Sequence, residues 1–348
     1  MTNEGFSAET AACLDAHLEQ RPRAQAQDAV KFVFQAMLGV GHLLGPADQV
    51  EAYIARETAE QTADSEEPLT EPVGPDWCRL NLRRAMAEGL PPRVIAKLMM
   101  NGAPEQHWTR EDVAGFCRDY AQRRGISGME DILARLADPA WLPSHSETYR
   151  AAYRPAYLLI PRAWEPLLPV VCAVKKRRAD ARTLVTVDGP CASGKTTLAD
   201  RLAGILDAAV IHTDDFYVPH AQKTAERLAV PGGNCDWERL VGEVIAPWKA
   251  GRPGTYRRYD CHGDCLLPPE ALPDAKALIL EGSYSNLPAI RALADIRVFV
   301  NTSESVRRQR LEQRESPASL KMFDERWIPL ENAYFEAYGL PDEGCILI

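Results

Sequence analysis

The chain has 348 residues, long for a single hydrophobic core, so two domains are expected. A composition of 46% hydrophobic and 26% charged residues is that of an ordinary globular protein and excludes a disordered or fibrous one. The formal net charge of -9 argues against nucleic acid or an anionic membrane as the main partner, while small phosphorylated ligands stay admissible.

No apolar run reaches membrane-spanning length, and residues 1–10 lack the basic and apolar regions of a signal peptide, so a cytoplasmic location is expected. Nine cysteines, an odd number without a CxxC pair, fit reduced thiols better than a disulfide framework. Cys261 and Cys265 bracket His262 and Asp264, but the chain offers no matching ligand spacing elsewhere, so a plain turn stands beside a metal site as a reading.

Residues 8–59 carry a helical pattern, and within 27–44 the side chains of Val30, Phe32, Val33, Phe34, Met37, Leu38 and Val40 make a broad apolar face. Gly39, Gly41 and Gly45 break it. His42, in that turn, reads either as an exposed functional imidazole or as a histidine packed at a helix end. Residues 60–76 are acidic and proline-rich, as in a solvated loop, and helical patterns resume at 78–88, 91–101, 110–123 and 129–137. Residues 1–140 are therefore expected to form an all-helical domain, of no assigned role. Over 141–179, prolines alternate with Tyr149, Tyr153, Tyr157 and Trp164, which suggests a packed connector. There His145, Tyr149, Arg150, Tyr153 and Arg154 either line a ligand pocket or form an aromatic wedge.

From 180 to 348 the pattern alternates strand and helix. Strands are expected at 184–187, 209–212, 277–280, 296–300 and 345–348, and helices at 196–206, 237–249, 303–315 and 328–338. That order implies an α/β domain with a parallel sheet and helices on both faces, whose ligands bind beyond the carboxyl ends of the strands.

The first strand runs into Gly189-Pro190-Cys191-Ala192-Ser193-Gly194-Lys195-Thr196-Thr197, a complete GxxxxGK[ST] phosphate-binding loop. Gly189, Ala192, Ser193, Gly194, Lys195, Thr196 and Thr197 are the expected nucleotide contacts. The helix N-terminus faces an anion, Lys195 reaches the terminal phosphates, and the Thr196 hydroxyl sits on Mg²⁺. Asp214 and Asp215 follow the second strand; Asp214 is read as the carboxylate that takes a proton from a substrate hydroxyl, with a turn or cap role as the alternative. Glu281, after the buried run 277–280, suits Mg²⁺ or its bound water. Arg307, Arg310 and Arg314 share a helical face able to clamp phosphates, although Glu304, Glu312 and Glu315 would equally make it a salt-bridged surface. Polar and aromatic residues between the second and third strands, among them Asp236, Trp237, Tyr256 and Arg258, read as an acceptor pocket.

With these residues in place, residues 180–348 resemble the uridine kinase and phosphoribulokinase group of P-loop kinases. The resemblance rests on DGPCASGKTT from Asp188, IHTDDFY from Ile211, LILEG from Leu278 and VRRQRLEQRE from Val306. It implies transfer of a phosphoryl group from ATP, with Mg²⁺, to a hydroxyl of a small metabolite. It also implies Asp214 as the activating carboxylate, Tyr217 near the substrate, and Arg307, Arg310 and Arg314 as a lid. Asp236 and Trp237 stand where a uridine kinase would carry an aspartate-histidine-proline run, so the resemblance extends to kinase chemistry and not to uridine. A nucleotide-gated interaction protein and a nucleotide monophosphate kinase are the alternative readings.

Overall fold

The computed structural model describes residues 3–41, 45–105, 107–178 and 180–348; His42 lies outside the described residues. The chain divides into two compact units, Met1–Leu168 and Pro169–Ile348. Residues 141–179, read from sequence as a connector, are shared between them. No helix among the described residues is long and apolar enough to cross a membrane.

The N-terminal unit is mainly helical, with its longer helices at Asn3–Gln20, Ala26–Leu38, Ala47–Ala59, Pro92–Met100 and Arg110–Arg124. The Ala26–Leu38 helix stops at Gly39, whose φ of +57° suits glycine, and a Cβ there would lie 2.3 Å from the Trp77 ring. Beside the helices is an antiparallel sheet that the all-helical expectation lacks: β1 (Thr70–Pro72), β2 (Trp77–Asn81) and β3 (Tyr157–Pro161), with β2 in the centre. The helix expected at 78–88 is therefore a strand followed by a short helix, Leu82–Ala87, capped by the Asn81 side chain on the Arg84 amide. Residues 77–80 are all buried, Arg79 included, so neither helical nor strand periodicity is visible there. Pro72 is tolerated because β1 is an edge strand.

The C-terminal unit is the expected α/β fold. Its strands are β4 (Thr183–Asp188), β5 (Ala209–His212), β6 (Ala277–Glu281), β7 (Ile296–Phe299) and β8 (Cys345–Leu347). They form one five-stranded sheet in the order β8-β7-β4-β6-β5, every neighbouring pair parallel. All six residues of β4 and all five of β6 are buried, as central strands covered on both faces require. The helix expected at 237–249 is present but widens into a π turn over Leu240–Ile245, and a second π turn, Phe323–Trp327, precedes the Ile328–Tyr338 helix. Each lies just before a proline, Pro247 or Pro329, whose ring and missing N–H do not fit a regular helical turn.

Candidate active site

The phosphate loop begins where β4 ends. Gly189 has φ +145°, and a Cβ there would sit 2.5 Å from the Val300 carbonyl oxygen, so the first loop position admits only glycine. Gly194, at φ +101°, opens the Lys195–Leu206 helix, whose first amides have no preceding carbonyl to bond. These amides face the loop, as an anion site requires.

Two buried carboxylates hold the loop from behind. Asp188 accepts hydrogen bonds from the Gly189 amide at 2.8 Å, the Asn286 amide at 2.9 Å and the Tyr334 hydroxyl at 2.7 Å. Burial nevertheless pushes its carboxyl up to about 6, against those donors and the Lys195 charge. Glu331, on the Ile328–Tyr338 helix, accepts from the Cys191 amide at 2.9 Å and from the Ser283 hydroxyl. Lys195 Nζ donates to the carbonyls of Gly189 and Pro190 at 2.8 and 3.0 Å, and the Thr302 hydroxyl donates to the Ser193 carbonyl at 2.8 Å.

The strand order then carries the site outward. β6 lies between β4 and β5, with Glu281 opposite Val187 on one side and His212 on the other. Glu281, 5% exposed, accepts from Thr196 Oγ1 at 3.2 and 3.3 Å and from His212 Nδ1 at 2.5 Å. The bond to Glu281 raises the His212 pKa above its ordinary value, with burial opposing. Asp214 follows two residues beyond His212, in the turn Thr213–Phe216; it is exposed and accepts from the Tyr217 hydroxyl at 2.9 Å. Asp215, half-buried, is pushed up by burial, while Arg258 and His212 pull it down.

The expected acceptor residues divide into two sets. Asp214, Asp215, Tyr217 and Arg258 gather at the end of β5, and Arg258 pairs there with Glu270 at 2.6 Å. Tyr256 is 9% exposed and packs near Phe216 with ring centroids 6.1 Å apart, so it serves the core and not a stacking surface. Asp236 caps the helix after it, accepting from the Arg239 amide and guanidinium, each at 3.1 Å. Trp237 lines an apolar cavity of about 260 Å³ with Val230, Gly232, Leu287, Ala289 and Tyr338. The arginine face is likewise divided. Arg310 donates to the loop carbonyls of Ala192 and Ser193 at 3.0 and 2.9 Å, and Arg307 donates to Thr302 at 3.2 Å. Arg314, one turn farther along the helix, pairs with Glu315 at 2.7 Å. Among the described residues no group of three or more His, Cys, Asp or Glu is placed to hold a metal ion, the Cys261 and Cys265 turn included.

Sequence reasoning missed Asp188, Glu331, His212 and Glu270. His212 was visible as a polar residue ending a strand. Glu331 carried no local signal, because its partners lie 140 and 48 residues away.

Uridine-cytidine kinase C of Dictyostelium discoideum is 24% identical over 131 residues, 37% of this chain and 29% of that protein. The C-terminal half is similar to uridine kinase-like P-loop kinases. The chain spans less than a third of the curated relative it matches. A solved structure from Bacillus stearothermophilus, described as a possible uridine kinase, is 21% identical and covers 53% of this chain and 98% of its own, with a TM-score of 0.41. No family model matches the chain.

Proposed function

We propose that residues 180–348 form an ATP- and Mg²⁺-dependent kinase domain that phosphorylates a hydroxyl of a small, uncharged, polyhydroxylated metabolite, in a cytoplasmic setting, with the mainly helical N-terminal unit, Met1–Leu168, as an accessory domain. The observation that supports it most is the chain Thr196, Glu281, His212, which links the phosphate loop to the strand end that precedes Asp214. Three neighbouring strand ends thus carry the donor loop, a metal-type acid and a candidate base, in that order.

The loop suits a nucleotide phosphate. Ser193 Oγ is buried with no hydrogen-bond partner among the described residues, a hydroxyl left for a ligand oxygen, and Gly189 leaves no room for a side chain. The Thr196 hydroxyl and Glu281 carboxylate are hard oxygen donors of the kind Mg²⁺ takes with phosphates. When bound, ATP and Mg²⁺ supply the transferable phosphoryl group and neutralise its charge. Lys195 exchanges its loop carbonyls for phosphate oxygens. Arg310 and Arg307 border the loop and add positive charge as charge spreads during transfer. Asp214 takes the proton of the acceptor hydroxyl as that oxygen bonds to phosphorus and ADP departs.

The acceptor end is acidic: Asp214 and Asp215 are adjacent, and Arg258 is already paired with Glu270. An acceptor that carries phosphate would meet like charge there, which favours a neutral polyol or nucleoside over a nucleotide. ATP consumption across a panel of sugars, polyols and nucleosides tests the reading. Product formation that disappears in Asp214→Ala is expected; ATP binding without transfer to any compound, with ATP turnover indifferent to Asp214→Ala, overturns it. Capture of a partner only in the presence of ATP, without transfer, would mark a nucleotide-gated switch instead.

A further inference from the structure

The acceptor half of the site is built from segments that the five-stranded sheet does not hold. The turn Thr213–Phe216, with Asp214 and Asp215, lies beyond the last ladder pair of β5, His212 with Glu281. Arg258 lies between two short ladders, Thr255–Tyr256 with Glu270–Ala271 and Tyr259–Asp260 with Cys265–Leu266. The remaining segment is the start of the helix at 237–249, capped by Asp236.

One side chain joins all of them. Arg239, on the first turn of that helix, has a side chain only 10% exposed. Its Nε donates to Asp236 at 3.1 Å, and one terminal nitrogen donates to the Asp215 carbonyl at 3.3 Å. The other donates to the Arg257 carbonyl and lies 3.7 Å from Glu243. The guanidinium also covers the Phe216 ring, 4.5 Å from its centroid. Glu243 in turn accepts from the Arg257 amide at 3.0 Å and from its guanidinium at 3.1 Å. Arg239 and Glu243, one helical turn apart, therefore grip both the carbonyl and the amide of Arg257, the residue before Arg258.

A residue that served its own helix would need Asp236 and Glu243 and nothing more. The bonds to the Asp215 and Arg257 carbonyls leave the helix and reach 24 and 18 residues away in sequence. A planar fork of five donors can point in these directions at once, whereas a lysine ammonium donates from a single atom.

We propose that Arg239, with Glu243 as its partner, is the positioning residue of the acceptor site: it fixes the turn that carries Asp214 and Asp215 against the strand pair that carries Arg258, before any acceptor binds. The catalytic part of this role rests on the kinase reading of the site; the structural part does not. Other groups hold the donor half: Asp188, Glu331 and Thr302 support the phosphate loop, and Thr196 and His212 hold Glu281. Loss of Arg239 loosens the acceptor frame and leaves the nucleotide side in place, and a small misplacement of a reacting group is costly in rate.

The test compares the full chain with its Arg239→Lys and Glu243→Ala variants by hydrogen–deuterium exchange and by kinetics. In Arg239→Lys, exchange should rise about tenfold or more over residues 214–218 and 256–260 and stay at the wild-type rate over 189–197 and 277–281. Glu243→Ala should raise exchange more over 256–260 than over 214–218, because Glu243 grips the Arg257 side. For an acceptor found in the panel above, Arg239→Lys should lower kcat/KM about tenfold or more while the ATP Kd stays within about twofold. Wild-type exchange in Arg239→Lys overturns the proposal. So does a rise that includes 189–197 and 277–281, which would make Arg239 a residue of the fold at large, and so does local loosening with an unchanged acceptor kcat/KM. If the wild type phosphorylates no compound, the kinase reading alone fails, and the exchange pattern still decides for or against the clamp.

Discussion

The Thr196 hydroxyl donates to Glu281 at 3.2 Å across 85 residues of sequence, joining the first turn of the phosphate-loop helix to the end of the adjacent strand. Replacing this acid by glutamine keeps the shape and removes the charge. Glu281→Gln should therefore leave the fold intact and lower turnover roughly 10²-fold or more, with the loss eased by high Mg²⁺. Turnover at saturating ATP over a range of Mg²⁺ concentrations checks it.

His212 touches Glu281 and would act through it. Loss of a residue that orients a metal-binding carboxylate typically costs about 10–100-fold in metal affinity, so His212→Ala should raise the Mg²⁺ concentration needed for half-maximal nucleotide binding by that order. Fluorescent-nucleotide titration against Mg²⁺ reads this without any dependence on turnover. An unchanged Mg²⁺ requirement would leave His212 a purely structural residue.

Asp214 is exposed and its carboxylate bonds to a single group among the described residues, Tyr217, so its removal should cost little stability. Asp214→Asn should lower phosphoryl transfer by about 10²–10⁴-fold while leaving ATP affinity near the wild-type value. Single-turnover kinetics beside an ATP-binding isotherm separate the two effects.

Glu331 is a structural counterpart. In Glu331→Gln the amide oxygen can still accept from the Cys191 amide, but the NH₂ then faces the Ser283 hydroxyl, which must accept instead of donate and loses the acceptor for its own proton, at a cost of about 1–3 kcal/mol. The urea midpoint should fall accordingly, and nucleotide affinity should fall with it because the anchor of the loop weakens.

The buried histidines of the N-terminal unit set a pH dependence. His17 and His145 are lowered by burial from 6.5 to about 4. A depressed folded value means stability that is fully present above the unfolded pKa and lost as pH falls from about 6.5 through about 4, worth on the order of 3 kcal/mol per histidine. Asp28 and Glu71, each held at about 2 against burial by hydrogen bonds and charge, extend the loss to lower pH. Urea unfolding followed between about pH 7 and pH 5 should show falling stability and proton uptake on unfolding; a flat profile would contradict buried neutral imidazoles.

The α/β half was legible because its signals are local. A glycine loop after an apolar run, and acids at strand ends, announce themselves within ten residues of sequence. The supports behind them do not: Asp188 reads as part of the loop motif until Tyr334, 146 residues later, is seen bonded to it. Tyr256 and Asp236 looked like pocket residues because polar and aromatic residues in an irregular stretch carry no mark of which way they face. In the N-terminal half, β2 was hidden because burial on both faces removes the alternation that identifies a strand, and Arg79 in its middle looks like a surface charge.

The strand order has one more consequence. β5, which leads into the turn that carries Asp214, is one of the sheet's two edge strands and is joined to it by a single ladder, whereas β4 and β6 are each held on both sides. Substitutions or insertions in the segment trailing β5 disturb one edge and leave the phosphate loop and Glu281 in register. Such an arrangement lets substrate choice drift between lineages while the machinery that handles the nucleotide stays fixed.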